Sequence, residues 1–407
     1  MSCWQHVNLL HAQAACLCRF LRMLAPLCAA CALAQPALAG HSGDINTDTY
    51  TNLADLLWGI QALTGKRTLS ATQAEEGDVA PLVGGYSVPD GSFNLGDLVV
   101  LYRVIAGDIV LSFAGVPDNQ FNIGDSIGEG EASNSDIGVE HHETVWSTGY
   151  KGTDIVNSLN ERLEVLQPAN YYENNATRDS IFNHAKSGAR MTDFVAQAQA
   201  VVAASAQTPT GKAGNVVVFL GNNDVCASSM SAMTDPALFD QQFRNGLDVL
   251  AASPATQNAR IDVLSIPAIY WLWNAKYSSN TCRFIWFLGS VCQSLLSGAN
   301  DDCASATSRL DPDNDYAGDG SNCHRRKLFH RAIRNDYNPR LHDAVQEYHA
   351  NGLLPNARYT DIFDVMFQSV DVNDGDCFHP SVTGHALLAD TAWCRSPLGS
   401  LDAACGN

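Results

Sequence analysis

The sequence predicts an α/β fold, a mainly parallel sheet covered by helices, preceded by a small helical module. Three observations carry that expectation. Strand-like apolar runs, Asn215 to Leu220 and Arg260 to Ile266, alternate with helical ones, Met191 to Ala204 and Arg331 to His349, the rhythm of strands joined by helical crossovers. The run NVVVFL opens into Gly221, Asn222, Asn223 and Asp224, and parallel-sheet proteins place their chemistry at that strand end. Ahead of all this, Asn52 to Gly65 recurs as Asn94 to Gly107, an offset of 42.

With 407 residues, 46% of them hydrophobic and 16% charged, the chain can bury a sizeable core. Lys+Arg is 24 against Asp+Glu 43, a net charge of −19. That balance argues against a nucleic-acid partner, whose binding rests on neutralising phosphates, and disfavours an anionic membrane surface.

Residues 1–39 read as a signal peptide. Arg19 and Arg22 precede the apolar run MLAPLCAACALA, and small residues at Ala37 and Ala39 suit cleavage after Ala39. A lipid anchor at Cys28 or Cys31 is the competing reading, and neither cysteine sits in a good lipobox. No later segment is long and apolar enough to span a bilayer, so no transmembrane segment is expected and the product should be secreted or periplasmic. Cleavage removes five of thirteen cysteines and leaves Cys226, Cys282, Cys292, Cys303, Cys323, Cys377, Cys394 and Cys405. Structural disulfides are expected, and sequence alone does not choose the pairing.

Residues 40–110 hold the repeats. Each copy, NLADLLWGIQALTG and NLGDLVVLYRVIAG, reads as a loop running into an amphipathic helix closed by glycine. In the first loop Asp44, Asn46, Asp48, the Tyr50 carbonyl, Asn52 and Asp55 fall at positions 1, 3, 5, 7, 9 and 12 of a calcium loop, which supplies the six or more oxygens a hard cation needs. In the second copy Asp90, Asn94 and Asp97 keep positions 5, 9 and 12, and Asp78 takes position 1 if Leu82 to Pro89 is looped out. The pattern, from Gly43 to about Ile109, resembles the dockerin-type repeat. That resemblance implies a small all-α module, structural calcium and a cohesin-like protein partner, although Thr49 stands where a turn glycine is expected. A folded spacer is the plainer alternative.

Four blocks follow. FNIGDSIGEG sets Ser126 in a glycine-rich turn that can expose its hydroxyl. DSIFNHAKSGARMTDF offers a strand near Ile181, then Gly188 before a helix, and GNNDVC offers the Asn223 amide; a glycine N–H and a neutral amide suit an oxyanion. GDCFHPSVTGHALLAD puts Asp376 three residues before His379, so one short loop can orient the imidazole.

In this order the blocks resemble the SGNH or GDSL hydrolase superfamily from Phe121 to Trp393. The resemblance implies a three-layer α/β/α hydrolase domain over residues 117–407. It implies catalytic Ser126, Asp376 and His379, and an oxyanion hole of the Ser126 N–H, Gly188 and Asn223. No cofactor is implied for catalysis. NNDVC and DCFHPS look like the phospholipase-B-type branch, which points to a lipase or esterase acting on a lipid ester. A carbohydrate esterase removing acetyl groups from polysaccharide, and an inactive calcium-binding scaffold, are the alternatives. The elbow of α/β hydrolases, Gly-x-Ser-x-Gly, also fits GDSIG, but fewer than twenty residues separate Gly107 from Ser126, too few for the strands that precede such an elbow.

Two stretches stay open at this level. The aromatic segment Ala268 to Cys292 reads as acyl pocket, lid or ordinary core. The acidic stretch Asp311 to Asn322 reads as another calcium loop or a solvated one.

Overall fold

The computed structural model describes residues 35–36, 43–47, 50–83, 86–87, 89–109, 116–167, 171–172, 181–298, 300–402 and 405. Apart from Gln35 and Pro36, the expected signal peptide lies outside the described residues, as does Asp48. The chain divides into two compact units, residues 1–82 with 89–110 and residues 83–88 with 111–407.

In the smaller unit the duplication is visible atom by atom. Helices α1 (Leu53–Leu63), α2 (Ala71–Gly77) and α3 (Leu95–Ile105) form it, and α1 packs on α3. Asn52 Oδ1 accepts from Ala54 N (2.8 Å) while Asp55 Oδ2 accepts from Asn52 N (2.8 Å). Asn94 and Asp97 make the same reciprocal cap at 2.7 and 2.6 Å. Each cap satisfies N–H groups that a helix start otherwise leaves unpaired. The ends of the interruption in the second copy meet, because Asp78 accepts from the Asp90 and Gly91 amides (3.2 and 2.7 Å). The repeat region is not wholly helical, as the expectation had it. Tyr50–Thr51 pairs antiparallel with Gln35–Pro36, and Leu82–Val83 pairs with Tyr86–Ser87. The first pairing follows from the cap itself, whose Asn52 has extended φ and ψ, so the chain enters α1 from a strand conformation.

The larger unit is built on four parallel strands in the order β1 (Gln120–Gly124), β2 (Asn215–Phe219), β3 (Arg260–Leu264) and β4 (Ala357–Thr360). Strand β1 runs into α4 (Ser126–Glu129), followed by α5 (Leu159–Leu166) and α6 (Phe194–Ser205). Strand β2 runs into α7 (Asn222–Val225) and then α8 (Pro236–Ala252). After β3 come α9 (Tyr270–Lys276), α10 (Asn280–Gly289), α11 (Ser321–Ala332) and α12 (Asn338–Ala350), and after β4 comes α13 (Val382–Arg395).

Every residue of β1 and β2 is buried, which requires cover on both faces of the sheet. Phe121, Val216, Ile261 and Ala357 stand in register on one face and join Phe194, Phe239 and Phe243 from α6 and α8 in the main core. The alternate residues Gln120, Asn122, Asn215 and Asp262 are buried and polar. On that face Leu159 and Leu163 of α5, with Ala392 and Trp393 of α13, surround Asn215 and Asp262. The result is the expected α/β/α layering.

Three details differ from the expectation. Ile181 and Phe182 are helical, and only Asn183 bridges to Asn122; the chain then turns away from the edge of β1 at Lys186–Ala189, where Ala189 N donates to Lys186 O. The helix expected from Arg331 begins at Ser321 and passes through a π turn at Ile333–Tyr337. Pro339, which has no N–H, follows that turn, and a shifted hydrogen-bond ladder accommodates it. Strand β4, with the mixed sequence ARYT, was not foreseen.

The eight cysteines pair as Cys226–Cys292, Cys282–Cys377, Cys303–Cys323 and Cys394–Cys405. No helix among the described residues is long and apolar enough to cross a membrane.

Candidate active site

Ser126 is the first residue of α4, separated from the end of β1 by Asp125 alone, so its N–H has no intrahelical partner. The turn is tight because Gly128 passes close to its neighbours: a Cβ there would lie 2.6 Å from Ala185 Cβ and 2.7 Å from Asn122 Nδ2. Asp125 caps α4, its Oδ1 accepting from Ile127 N and its Oδ2 from Asn222 Nδ2, both at 3.0 Å. Asp125 is fully enclosed, and burial raises its carboxyl to about 6. One residue earlier, the Gln197 amide of α6 accepts from Gly124 N and donates to Gly124 O, both at 2.9 Å. Nothing in the strand-helix pattern marks Gln197, which is one of two glutamines on that helix.

At the other end of the chain, His379 Nε2 lies 2.8 Å from Ser126 Oγ, and His379 Nδ1 lies 2.6 Å from Asp376 Oδ2. Asp376 Oδ1 accepts from Asn373 Nδ2 and from the amides of Phe378 and His379 (2.7, 2.8 and 3.0 Å). Burial raises the Asp376 carboxyl, but its bonds to His379 outweigh that and leave it below the ordinary carboxylate value. Burial lowers His379, but the Asp376 bond and charge, helped by Glu131 and Asp125, leave its imidazole above the ordinary value. Asn373 also donates to His379 O and accepts from Gly375 N and Asp376 N, closing the loop on itself. It stands three residues before Asp376, just ahead of the GDCFHPSVTGHALLAD block, and its role as the hub of the loop has no signature in the sequence.

The other two predicted residues meet at one turn. Gly188, at φ +77°, sits in the Lys186–Ala189 turn, a conformation that favours glycine. Asn223 donates one Nδ2 proton to Ala189 O (3.0 Å), so the amide is fixed and its second proton remains for a ligand. Asp224 ties the same segment through Met191 N (2.8 Å). Ser187, next to Gly188, is gripped from the nucleophile side: its N–H donates to Glu129 Oε2 (2.7 Å) and its Oγ to Glu131 Oε2 (2.5 Å).

Ser126, Asn223 and His379 line one cleft whose remaining walls are largely apolar, among them Ile127, Phe219, Ile269, Leu272, Phe367 and Phe378. Gly188 is exposed and lies outside that lining. The aromatic segment divides: Ile269 and Leu272 face the cleft, Tyr270, Trp273 and Trp286 are core, and Phe284 and Phe287 are exposed. A wider cleft of ≈ 770 Å³, lined by Trp271, His330, Tyr359 and several carboxylates, contains none of the predicted catalytic side chains.

For a metal, the repeats offer hard oxygen donors. Asp44, Asp55, Asp78 and Asp97 are buried, and Asn46 is half-buried. Burial raises Asp97, backbone N–H groups lower it, and the nearby charge of Asp78 raises it further. Each of Asp55, Asp78 and Asp97 accepts backbone N–H groups on both carboxylate oxygens, and those oxygens are the hard donors a divalent cation would use. The stretch 311–322 is a different case. Lys327, fully buried, donates to Ser308 Oγ, Asn314 O and Asp319 Oδ2 (2.7, 2.7 and 2.8 Å). An ammonium therefore reaches the acidic loop at Asn314 and Asp319, while residues 313–318 stay exposed to solvent.

Residues 121–392 match the family described as GDSL-like Lipase/Acylhydrolase. No curated protein matches the chain.

Proposed function

The chain belongs to the GDSL-like lipase/acylhydrolase family, hydrolases acting on esters, and from that premise we propose that it is a secreted lipase or esterase with Ser126 as nucleophile. The observation that carries the reading is the continuous chain Ser126, His379, Asp376 opening on an apolar cleft. His379 Nε2 takes the Ser126 proton as Oγ attacks the ester carbonyl, and Asp376 stabilises the imidazolium. The N–H groups of Ser126 and Gly188 and the second proton of the Asn223 amide hold the oxyanion. His379 then returns the proton to the leaving alcohol, and water hydrolyses the acyl enzyme by the same steps.

The apolar walls favour an acyl chain over a sugar, so a lipid ester, phospholipid included, is the preferred substrate. Four disulfides favour an oxidising compartment, hence secretion. The test is hydrolysis of p-nitrophenyl esters from acetyl to palmitoyl by the wild type and by Ser126→Ala. Turnover should be greatest at long chains and fall about 10⁴-fold or more in the variant, with an unchanged melting temperature. A maximum at acetyl would favour a carbohydrate esterase, and a rate indifferent to Ser126 would remove the enzyme reading.

We propose also that the repeats bind calcium and present a protein-docking face. The exposed pairs Leu53 and Leu57 on α1, and Leu95 and Val99 on α3, recur at the repeat offset, so the two copies display equivalent apolar edges. Calcium should raise the melting temperature of the repeats and a chelator should reverse the shift. A melting curve indifferent to both would count against the metal.

A further inference from the structure

Among the hydrolase unit's described α-helices, α10 carries the most exposed large apolar side chains. Phe284, Phe287 and Leu288 are 61%, 80% and 64% exposed, while Cys282 and Trp286 on its other side are buried. Such exposure is costly on a water-facing helix and marks a surface meant to be covered.

Two links join that helix to the catalytic loop. Cys282 is disulfide-bonded to Cys377, and Trp286 Nε1 donates to Cys377 O (2.9 Å). Cys377 lies between Asp376 and His379, and the next residue, Phe378, lines the cleft. The exposed face and the cleft therefore belong to one covalently tethered piece.

Charge points to what covers it. Residues 263–300 contain no Asp or Glu in a chain that has 43, and their only cations are Lys276 and Arg283. Lys276 is buried and paired with Asp374, and Arg283 is bonded to the Asn280 and Asn300 side chains. On a protein of net charge −19 this stretch neither repels nor strongly attracts charge. Phenylalanines and a leucine on one side of an amphipathic helix suit burial at the headgroup and acyl boundary of a lipid surface, and the lack of a basic face gives no preference for anionic lipid.

We propose that the Phe284, Phe287 and Leu288 face of α10 docks on a zwitterionic phospholipid surface and so brings the cleft to aggregated acyl esters. The inference rests on the ester-hydrolase reading above, which it deepens by specifying how the substrate is presented. Docking removes the two rings and the leucine from water, and the disulfide keeps the loop of His379 at the same surface.

The test separates docking from chemistry. The full chain carrying Ser126→Ala is mixed with dioleoyl phosphatidylcholine vesicles and the bound fraction is read by co-sedimentation, with and without Phe287→Asp. Active enzyme with and without Phe287→Asp is assayed on soluble p-nitrophenyl butyrate, and the solution mass of each is measured. The Ser126→Ala chain should bind, and Phe287→Asp should weaken binding about tenfold or more, while soluble-ester turnover stays within about twofold. Absence of vesicle binding, or binding unaffected by Phe287→Asp, overturns the proposal. So does a dimer that Phe287→Asp dissociates, since the face would then be covered by a second copy. Loss of soluble-ester turnover by the wild type would instead defeat the hydrolase reading, leaving the vesicle result to stand on its own.

Discussion

The two ends of the Ser126–His379 hydrogen bond are held in opposite ways. The serine end is fixed by amides scattered through the sequence: Gln197 clamps Gly124, Asn222 bonds Asp125, and Asn122 and Asn183 both donate to Gly128 O. The histidine end is fixed mainly by its own loop, where Asn373 and Asp376 bond to their own neighbours, with one covalent anchor from outside, the Cys282–Cys377 disulfide. A dispersed web positions by many modest bonds, each worth about 1 kcal/mol net. A self-closed loop concentrates the same task in one or two side chains.

Substitutions can sharpen that contrast. The largest effect outside the triad is expected at Asn223, which sits between the two ends. Asn223→Ala should lower kcat about 10²–10³-fold with little change in KM, as loss of an oxyanion donor does, and steady-state kinetics on a p-nitrophenyl ester would read it. A comparable loss in KM instead would make Asn223 a substrate-binding group. Next come the two supports. Asn373→Ala removes a donor to Asp376 and the acceptor for two loop amides, and should cost about tenfold in kcat or more because the whole loop depends on it. Gln197→Ala removes the side-chain acceptor of Gly124 N and one of two donors to Gly124 O, which keeps the Lys186 N–H, and should show mainly as lost stability, about 1 kcal/mol, with a smaller kinetic effect. Denaturation midpoints beside kcat would separate the two, and equal kinetic losses would break the distinction drawn here.

The same contrast explains what could be read from sequence. Asp376 and His379 are neighbours, so their mutual orientation was legible from spacing. The approach of Ser126 to His379, 253 residues apart, was legible only through resemblance, since no local pattern encodes it. The parallel sheet was visible because β2 and β3 are largely apolar runs, whereas β4 escaped notice because it is four residues long, mixed in sequence, and buried only at Ala357 and Thr360. Gln197 and Asn183 escaped because a single amide in a helix or loop has no signature until the chain it clamps is in place. The acidic loops teach the same point. Spacing alone makes residues 311–322 resemble the repeat loops, and the residue that separates them, Lys327, lies beyond the end of the motif. Where a lysine reaches back into such a loop, the cation is already supplied.

The smallest effect concerns the proton itself. To accept from Ser126, His379 must be neutral, and its folded value is raised above the ordinary 6.5: burial acts to lower it, and the bond and charge of Asp376, then Glu131 and Asp125, prevail. The sign follows directly. Protonated His379 stabilises the fold below the unfolded value, and that contribution is lost as pH rises through the folded one; activity does the reverse and is gained over the same interval. The acid limb of kcat/KM should therefore lie above 6.5. Glu131 Oε2 is 3.9 Å from Nε2, and Glu131→Gln removes its charge while leaving an acceptor for Ser187 Oγ. That substitution should move the limb to lower pH and leave the plateau rate nearly intact, which a pH-rate profile on a soluble ester would read. A limb that does not move would mean that Glu131 serves only the Ser187 turn, and that the histidine end is tuned, as well as held, from within its own loop.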